Sequence, residues 1–210
     1  RQVFTFFVED MMFGLGIENV LMLDQDINDI QRLPIEEQGF CGVTKFQGVV
    51  VPVLDFAHRI DIPSGFDSKS ELLTTLAQRE KDHEEWIDAL ANSIKTGVKF
   101  TKAKNPDECE FGIWYKNFKT WDETLKELLT AFEEPHIAIH ALANELLLLT
   151  ESGKQAEALD ILERARHTTL QRLLAVFARV REQIKSSMRQ VLLFVTDDGR
   201  SPRYALMLDD

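Results

Sequence analysis

Four residues in the middle of the chain have the types and the spacing to bind a metal ion. His136 and His140 are four residues apart, so in a helix they lie on one face, one turn apart. His83 precedes them, and Cys109 is the one cysteine of this region. Three imidazoles and one thiolate suit tetrahedral Zn²⁺, so these four residues are the predicted zinc ligands. Spacing alone leaves a simpler interpretation open, in which the histidines are ordinary core or surface residues.

Two other metal chemistries fit the sequence less well. A catalytic zinc site usually has three protein ligands and an open water position, whereas four protein ligands close the shell. A di-iron bundle needs Glu-x-x-His pairs. Glu133 and His136 have that spacing, but we expect Pro135 to break the helix between them. The sequence therefore predicts a closed metal site in a protein that is not an enzyme.

The composition disfavours several classes of binding partner and of cellular location. The net charge of −11 disfavours nucleic acid and anionic lipid as partners. No apolar run approaches the roughly 18 residues that a membrane-crossing helix needs. The two cysteines, with no secretory segment, do not indicate a disulfide framework. We expect a cytoplasmic protein without membrane insertion, and because the first residue is not Met, we expect the chain to be part of a longer protein.

Amphipathic helical stripes fill residues 69–187. Apolar side chains recur at helical spacing in four stripes, which begin near Leu72, Phe118, Ile139 and Leu159. The second stripe includes Trp121. Pro135 is expected at the first position of the third helix, and Ser152-Gly153 at its end. A loop over about 97–118 separates the first two helices and contains Cys109. This pattern predicts a four-helix bundle.

Both ends of the chain favour strands. The predicted strands share β-branched and aromatic residues, and they cover residues 3–8, 39–46, 49–56, 190–196 and 204–208. Gln47-Gly48 is a predicted hairpin turn. Two strands at the end of the chain cannot bury themselves alone. The predicted fold is therefore α+β, with a helical bundle inserted into a β domain. The expected segments are 1–62 (β), 63–80 (linker and helix start), 81–187 (bundle) and 188–210 (β, continued).

The residues around the four candidate ligands resemble a known family. The segments that carry the resemblance are His83-Glu84-Glu85-Trp86, Cys109-Glu110-Phe111-Gly112-Ile113-Trp114 and His136-Ile137-Ala138-Ile139-His140. They resemble the chemoreceptor zinc-binding (CZB) domain, whose signatures His-x-x-Trp, Cys-x-(Phe/Leu)-Gly-x-Trp and His-x-x-x-His follow in the same order. The resemblance implies a four-helix fold over about residues 80–185, a Cys/His3 zinc site and often a homodimer. Trp86, Phe111, Gly112 and Trp114 are then expected to pack around the metal.

The β-rich ends resemble a second family. Residues 30–34 and 42–56 are similar to the CheW-like coupling domain of bacterial chemotaxis, which carries a Gly-Val-Ile-x-x-Arg-Gly-x-Val-Val-Pro-Val-x-Asp-Leu core. Residues 192–209 resemble a later hairpin of that domain. The resemblance implies a β-barrel-like (SH3-like) fold that contacts chemoreceptors or a histidine kinase. Gln47 stands where the family usually has an arginine, which alters a surface suited to such contacts, and most of the second half of the family's domain is absent from this chain.

The two resemblances together imply a function in signalling. A zinc-bound thiolate is deprotonated, binds with an affinity that depends on pH, and can be oxidised to a sulfenic acid. We therefore expect a non-enzymatic chemotaxis adaptor in which zinc or an oxidant acts at Cys109, the redox-reactive residue. Coupling to chemoreceptors and a histidine kinase would respond to that change. The alternative is a scaffold in which zinc is purely structural and the CheW-like part signals alone.

The remaining histidines and the other cysteine are expected to have ordinary roles. Cys41 lies in a predicted strand and is interpreted as a small buried hydrophobic residue. His58 and His167 have no partner at ligand spacing and are expected to face solvent. Gly42 and Gly48 are expected in turns or in close strand packing.

Overall fold

A computed structural model describes residues 2–120 and 122–209 of the chain. The fold is α+β. The chain divides into two compact units. The β unit comprises Arg1–Glu71 and Ser186–Asp210, and the helical unit comprises Leu72–Lys185. Both ends of the chain therefore contribute to one unit.

In its described residues, the β unit contains seven strands and a short α-helix. The strands are β1 (Val3–Val8), β2 (Met11–Gly16), β3 (Val20–Asp24), β4 (Phe40–Phe46), β5 (Val49–Asp55), β6 (Gln190–Thr196) and β7 (Pro202–Asp209). Helix α1 (Phe56–Arg59) follows β5. β1 and β2 form an antiparallel pair, and the other strands form a sheet in the order β3-β6-β7-β5-β4. Only the β5–β7 pairing in this sheet is parallel. The strands from the end of the chain thus lie between strands from its beginning.

The burial of β6 explains why its sequence is continuously apolar. Val191, Leu193 and Val195 pack into one hydrophobic cluster, while Leu192 and Phe194 pack into another. Successive side chains of a strand point to opposite faces, so apolar residues at every position require cover on both faces. The run of five apolar residues therefore marks a central strand, as observed.

Backbone positions with positive φ angles shape the β4–β5 hairpin in two places. Gln47 and Gly48 have φ angles of 46° and 85°, which are the positive values that a tight two-residue hairpin turn requires. The predicted turn is therefore observed. Gly42 has φ of 136° and lies at an irregularity in the strand register. A Cβ atom there would collide with the carbonyl oxygen of Gln31, so only glycine fits this position.

The described part of the helical unit contains more helices than the four predicted, and two of them have only eight residues. Its helices are α2 (Gly65–Thr96, which begins in the β unit), α3 (Glu110–Asn117), α4 (Glu123–Thr130), α5 (Glu133–Glu151), α6 (Gln155–His167) and α7 (Thr169–Ser186, which ends in the β unit). The predicted long fourth helix is two helices, because Thr168 leaves the helical region with φ −123° and ψ −78°. None of the described helices is both long and apolar enough to cross a membrane.

The predicted boundaries of two helices are wrong. The second stripe forms only the eight residues of α4, and part of the expected loop forms α3 instead. Trp121, assigned to that stripe, lies outside the described residues. Pro135 is the third residue of α5, not the first. The first four N–H groups of a helix have no partner within it, so proline is tolerated there as well. Ser152 ends α5 as predicted, and Gly153 follows with φ of 78°.

Candidate metal centre

Three helices bring the four predicted ligands together. His83 lies on α2, Cys109 directly precedes α3, and His136 and His140 lie on α5. One ligand atom from each residue can be chosen so that all four lie within 4.8 Å of one another. His83, His136 and His140 are 3%, 6% and 0% exposed. The structure therefore places the four residues in one cluster, in which the three histidines are buried and Cys109 is partly buried.

Hydrogen bonds fix the orientation of two imidazole rings. His83 Nδ1 lies 2.7 Å from the carbonyl oxygen of Arg79, and His140 Nδ1 lies 3.1 Å from that of Ala103. A carbonyl can only accept, so Nδ1 must carry the proton in both rings and Nε2 keeps its lone pair. Both Nε2 atoms are buried without a hydrogen-bond partner among the described residues. Buried polar atoms without partners are rare, and a metal ion would satisfy both, so the residues fit the zinc that their types indicate.

Cys109 provides the sulfur from the start of α3. Its Sγ lies 3.2 Å from His136 Nε2 and accepts a hydrogen bond of 3.2 Å from the N–H of Gly112. It also lies 3.3 Å from the carbonyl oxygen of Pro106. A Cβ on residue 112 would collide with that same carbonyl. Glycine is therefore required for the close packing that places Cys109 at the start of the helix.

Burial determines the protonation of the cluster. Burial, together with a smaller effect of the neighbouring imidazoles, lowers the pKa of His136 to about 3 and that of His140 to about 4. Burial also lowers the pKa of His83 and raises the pKa of the Cys109 thiol. The three imidazoles are therefore neutral near pH 7 and ready to bind a metal. Cys109 holds the proton that metal binding must release.

Aromatic side chains surround the cluster. Phe111 contacts the rings of His83 and His136 at centroid distances of 5.7 and 4.8 Å. Phe132 and Phe177 pack against Phe111, and all three phenylalanines are at most 1% exposed. The sequence gives no specific sign of Phe132 and Phe177, beyond their places in apolar stripes. These rings form an apolar wall that excludes water from one side of the cluster.

The two tryptophans of the family signatures have different surroundings. Trp86 is 3% exposed and contacts the ring of His140 at 4.9 Å. Its Nε1–H donates a 2.7 Å hydrogen bond to the carbonyl oxygen of Ala103, which also accepts from His140. Trp114 instead contacts Phe111 and Phe118. Trp86 therefore positions the Ala103 carbonyl that orients His140, whereas Trp114 packs against Phe111 and Phe118.

Replacing Trp86 with phenylalanine is expected to weaken zinc binding by about tenfold, as loss of a group that orients a ligand typically does. The aromatic ring would keep its contact with Phe100, but the Ala103 carbonyl would lose one of its two donors. Competition with a zinc chelator measures the affinity. Trp114→Phe is the matched control, with an expected change of less than about twofold. Equal losses in the two variants would show that Trp86 acts through packing alone.

The carboxylates considered for a di-iron site lie outside the cluster. α5 includes Glu133, Pro135 and His136, so the expectation that Pro135 breaks the helix between them is wrong. The carboxylate of Glu133 nevertheless does not belong to the cluster. A second Glu-x-x-His spacing, from Glu80 to His83, is also present, and Glu80 pairs with Arg181. Neither glutamate therefore supplies a ligand.

The remaining histidines and cysteine lie away from the cluster. Cys41 is partly buried and packs against the core of the β unit, and burial raises the pKa of its thiol. The side chain of His58 is 52% exposed, but its ring contacts Asp55 at 3.0 Å and Asp67 at 2.9 Å. His167 is exposed and contacts Glu163 at 3.2 Å. The contacts of His58 with two carboxylates were not predicted, because Asp55 and Asp67 belong to different elements.

A family model matches part of the chain. Residues 83–147 match the family model described as the chemoreceptor zinc-binding domain. The matched segment includes all four residues of the cluster and supports zinc binding in chemotaxis-related signalling. No family model supports the CheW-like resemblance of the β unit. No curated protein and no solved structure matches the chain.

Proposed function

We propose that the chain is a non-enzymatic chemotaxis adaptor that binds one zinc ion through His83, Cys109, His136 and His140. The observation that carries the proposal is the convergence of these four residues inside a segment that matches a zinc-binding family, with two buried Nε2 atoms that have no partner in the part of the chain that the structure describes. Four protein donors would leave no open position for a reacting water. The site therefore favours a sensory or structural role over catalysis.

Cys109 is the residue through which the site would respond. Bound zinc would keep its sulfur in the thiolate form, which is the form that oxidants attack. Hydrogen peroxide or hypochlorous acid would transfer an OH group to the sulfur, with hydroxide or chloride leaving and the sulfur losing two electrons. The resulting sulfenic acid is a weaker ligand. Zinc binding would thus form the bond between the Cys109 sulfur and the ion, and oxidation of the sulfur would weaken that bond.

The connections between elements provide a route for the signal. α2 carries His83 and runs without a break from Gly65 to Thr96. Its first turn is held within the β unit, where Phe66 N–H donates to Asp209 at 3.1 Å and Asp67 contacts His58 at 2.9 Å. Movement of Cys109 and of the segment 97–118 would reach the β unit through α2 and through the end of α7, near residues 62–72 and 185–191.

The proposed partners follow from the two family resemblances. The β unit would act as a CheW-like domain in the cytoplasm and contact a chemoreceptor, a chemotaxis histidine kinase or both. Gln47, which has a positive φ at the β4–β5 turn, replaces the arginine usual in that family and alters this contact surface. The helical unit would form a homodimer.

A purely structural zinc is the second candidate function. The observation in its favour is the burial of the histidines, since His140 is fully buried and His83 nearly so. Such a site would hold zinc too tightly to exchange it, and Cys109 would resist oxidation. Signalling would then belong to the β unit alone.

Mild oxidation distinguishes the two candidates. We expect a few equivalents of hypochlorous acid or peroxide to release most of the zinc from the purified protein, because the thiolate is the reactive ligand. Metal analysis before and after treatment, with the oligomeric state measured in parallel, provides the test. Cys41→Ala is the matched control and should release zinc like the unmodified protein. Retention of zinc with an unoxidised Cys109 would favour the scaffold.

A further inference from the structure

A cavity of about 490 Å³ lies beside the four-residue cluster. Its lining includes His83, Cys109 and His140, which are three of the four proposed ligands. The buried Nε2 atoms of His83 and His140 have no partner among the described residues. The cavity thus borders three of the residues whose donor atoms a metal ion would need. The following inference rests on the proposed zinc site and concerns how the ion reaches it.

Charged side chains line the cavity further out. Asp82, Glu108 and Glu110 contribute carboxylates, and Arg79 and Lys102 contribute positive charges. Carboxylates at the mouth of a cleft attract cations and raise their local concentration. The chemistry of this lining fits the approach of a divalent cation.

Arg79 links the two helices that border the cavity. Its Nη1 lies 2.7 Å from Asp82 Oδ2 within α2 and 3.6 Å from Glu110 Oε2 at the start of α3. Glu110 directly follows Cys109, and the carbonyl of Arg79 accepts the hydrogen bond from His83. The guanidinium therefore connects the segments that carry two ligands, and it neutralises the carboxylates that would attract a cation.

The ion pairs of Arg79 leave one hydrogen-bond donor of its guanidinium group without a partner among the described residues. Its Nε is buried and has no hydrogen-bond partner among the described residues, and Glu110 is 73% exposed on its side chain. Partly exposed ion pairs are weak and can break and reform without unfolding the protein. The link across the cavity is therefore suited to opening.

We propose that this cavity is the route by which zinc reaches and leaves the site, and that Arg79 is a positioning residue that keeps the route closed by holding Asp82 and Glu110. Opening the Arg79–Glu110 link separates the beginning of α3 from α2 and exposes Cys109 Sγ. The carboxylates, freed from the guanidinium, then face the arriving ion. A link of this kind changes the rate of exchange in both directions and leaves the equilibrium affinity almost unaltered.

Zinc association and dissociation rates of Arg79→Met test this proposal. The change removes the charge but keeps the backbone carbonyl that orients His83. We expect both rates to rise by about fivefold, the size of effect that one weak ion pair can exert, while the dissociation constant changes by less than about twofold. Arg166→Met is the matched control, because Arg166 pairs with Asp88 in the same unit and has similar exposure, 28% against 22%. Its rates should equal those of the unmodified protein.

Two outcomes would overturn the proposal while leaving the zinc site intact. Unchanged rates in Arg79→Met would place the route elsewhere. Faster dissociation with an equal loss of affinity would make Arg79 a structural support of the site. Absence of zinc binding by the unmodified protein would instead contradict the proposed function. If Arg79→Met does not fold, Glu110→Gln removes the Arg79–Glu110 ion pair by changing its more exposed partner. An unchanged rate of zinc dissociation in Glu110→Gln would equally reject the proposed route.

Discussion

Replacing His140 with alanine is expected to lower zinc affinity by about 100- to 1,000-fold, and Cys109→Ala is expected to do the same. Structural zinc sites with four ligands bind with about 10–16 kcal/mol in total, so each ligand accounts for a few kcal/mol, and 1.4 kcal/mol is a factor of ten. The remaining histidines are buried and cannot recruit a replacement side chain easily. Purified variants should therefore contain little zinc after dialysis against a weak chelator.

A matched control separates ligand loss from a general effect of removing a histidine. His167 is exposed, contacts Glu163 at 3.2 Å and does not belong to the cluster, so His167→Ala should keep a full equivalent of zinc. Metal analysis and chelator competition give stoichiometry and affinity. Full zinc retention in both Cys109→Ala and His140→Ala would refute the assignment of the ligands.

Without zinc, the stability of the fold is expected to fall as the pH is lowered. The pKa values of His136 and His140 are about 3 and 4 in the folded protein, against an ordinary value of 6.5. Because these folded-state values are depressed, the unfolded chain binds more protons between pH 6.5 and about 4. Acid therefore favours unfolding in that range. Both side chains are almost fully buried, and we expect each to contribute a loss of about 3 kcal/mol between pH 7 and pH 4, or about 6 kcal/mol together.

Bound zinc should suppress this pH dependence until protons displace it. At a free concentration 100 times the dissociation constant, zinc would add about 2.7 kcal/mol to the free energy of unfolding. Urea unfolding of the zinc-free and zinc-loaded protein at pH 7, 5.5 and 4 measures both effects. His140→Phe is the control, since it removes one titrating group and should flatten the zinc-free profile. A zinc-free protein equally stable at all three pH values would show that the histidines are not buried as described.

The sequence was sufficient to locate the candidate metal centre because helix geometry fixes part of it. The spacing of His136 and His140 places both on one face of α5, and the flanking Trp86 and Phe111-Gly112 patterns identify the segments that supply the other two ligands. What the residue types could not specify are backbone groups. The carbonyls of Arg79 and Ala103 orient two rings, yet any residue type has a carbonyl. Only the folded chain reveals which one lies near each imidazole.

The fold was predictable where local signals were strong. The Gln47-Gly48 pair predicts the β4–β5 turn, and the continuous run of apolar residues predicts β6. Short elements were missed, because the eight residues of α3 give too few turns for a clear periodic pattern. The break at Thr168 was missed because apolar spacing continues across it. The order of the strands, with β6 and β7 between β3 and β5, depends on tertiary pairing that no single segment encodes.

X-ray absorption at the zinc edge of the zinc-loaded protein tests the central claim most directly. The four proposed ligands predict one sulfur at about 2.3 Å and three nitrogens at about 2.0–2.1 Å, in a tetrahedral shell without water. Cys109→Ala should lose the sulfur contribution. A shell without sulfur in the unmodified protein, or one that contains several oxygen ligands, would contradict the site of His83, Cys109, His136 and His140.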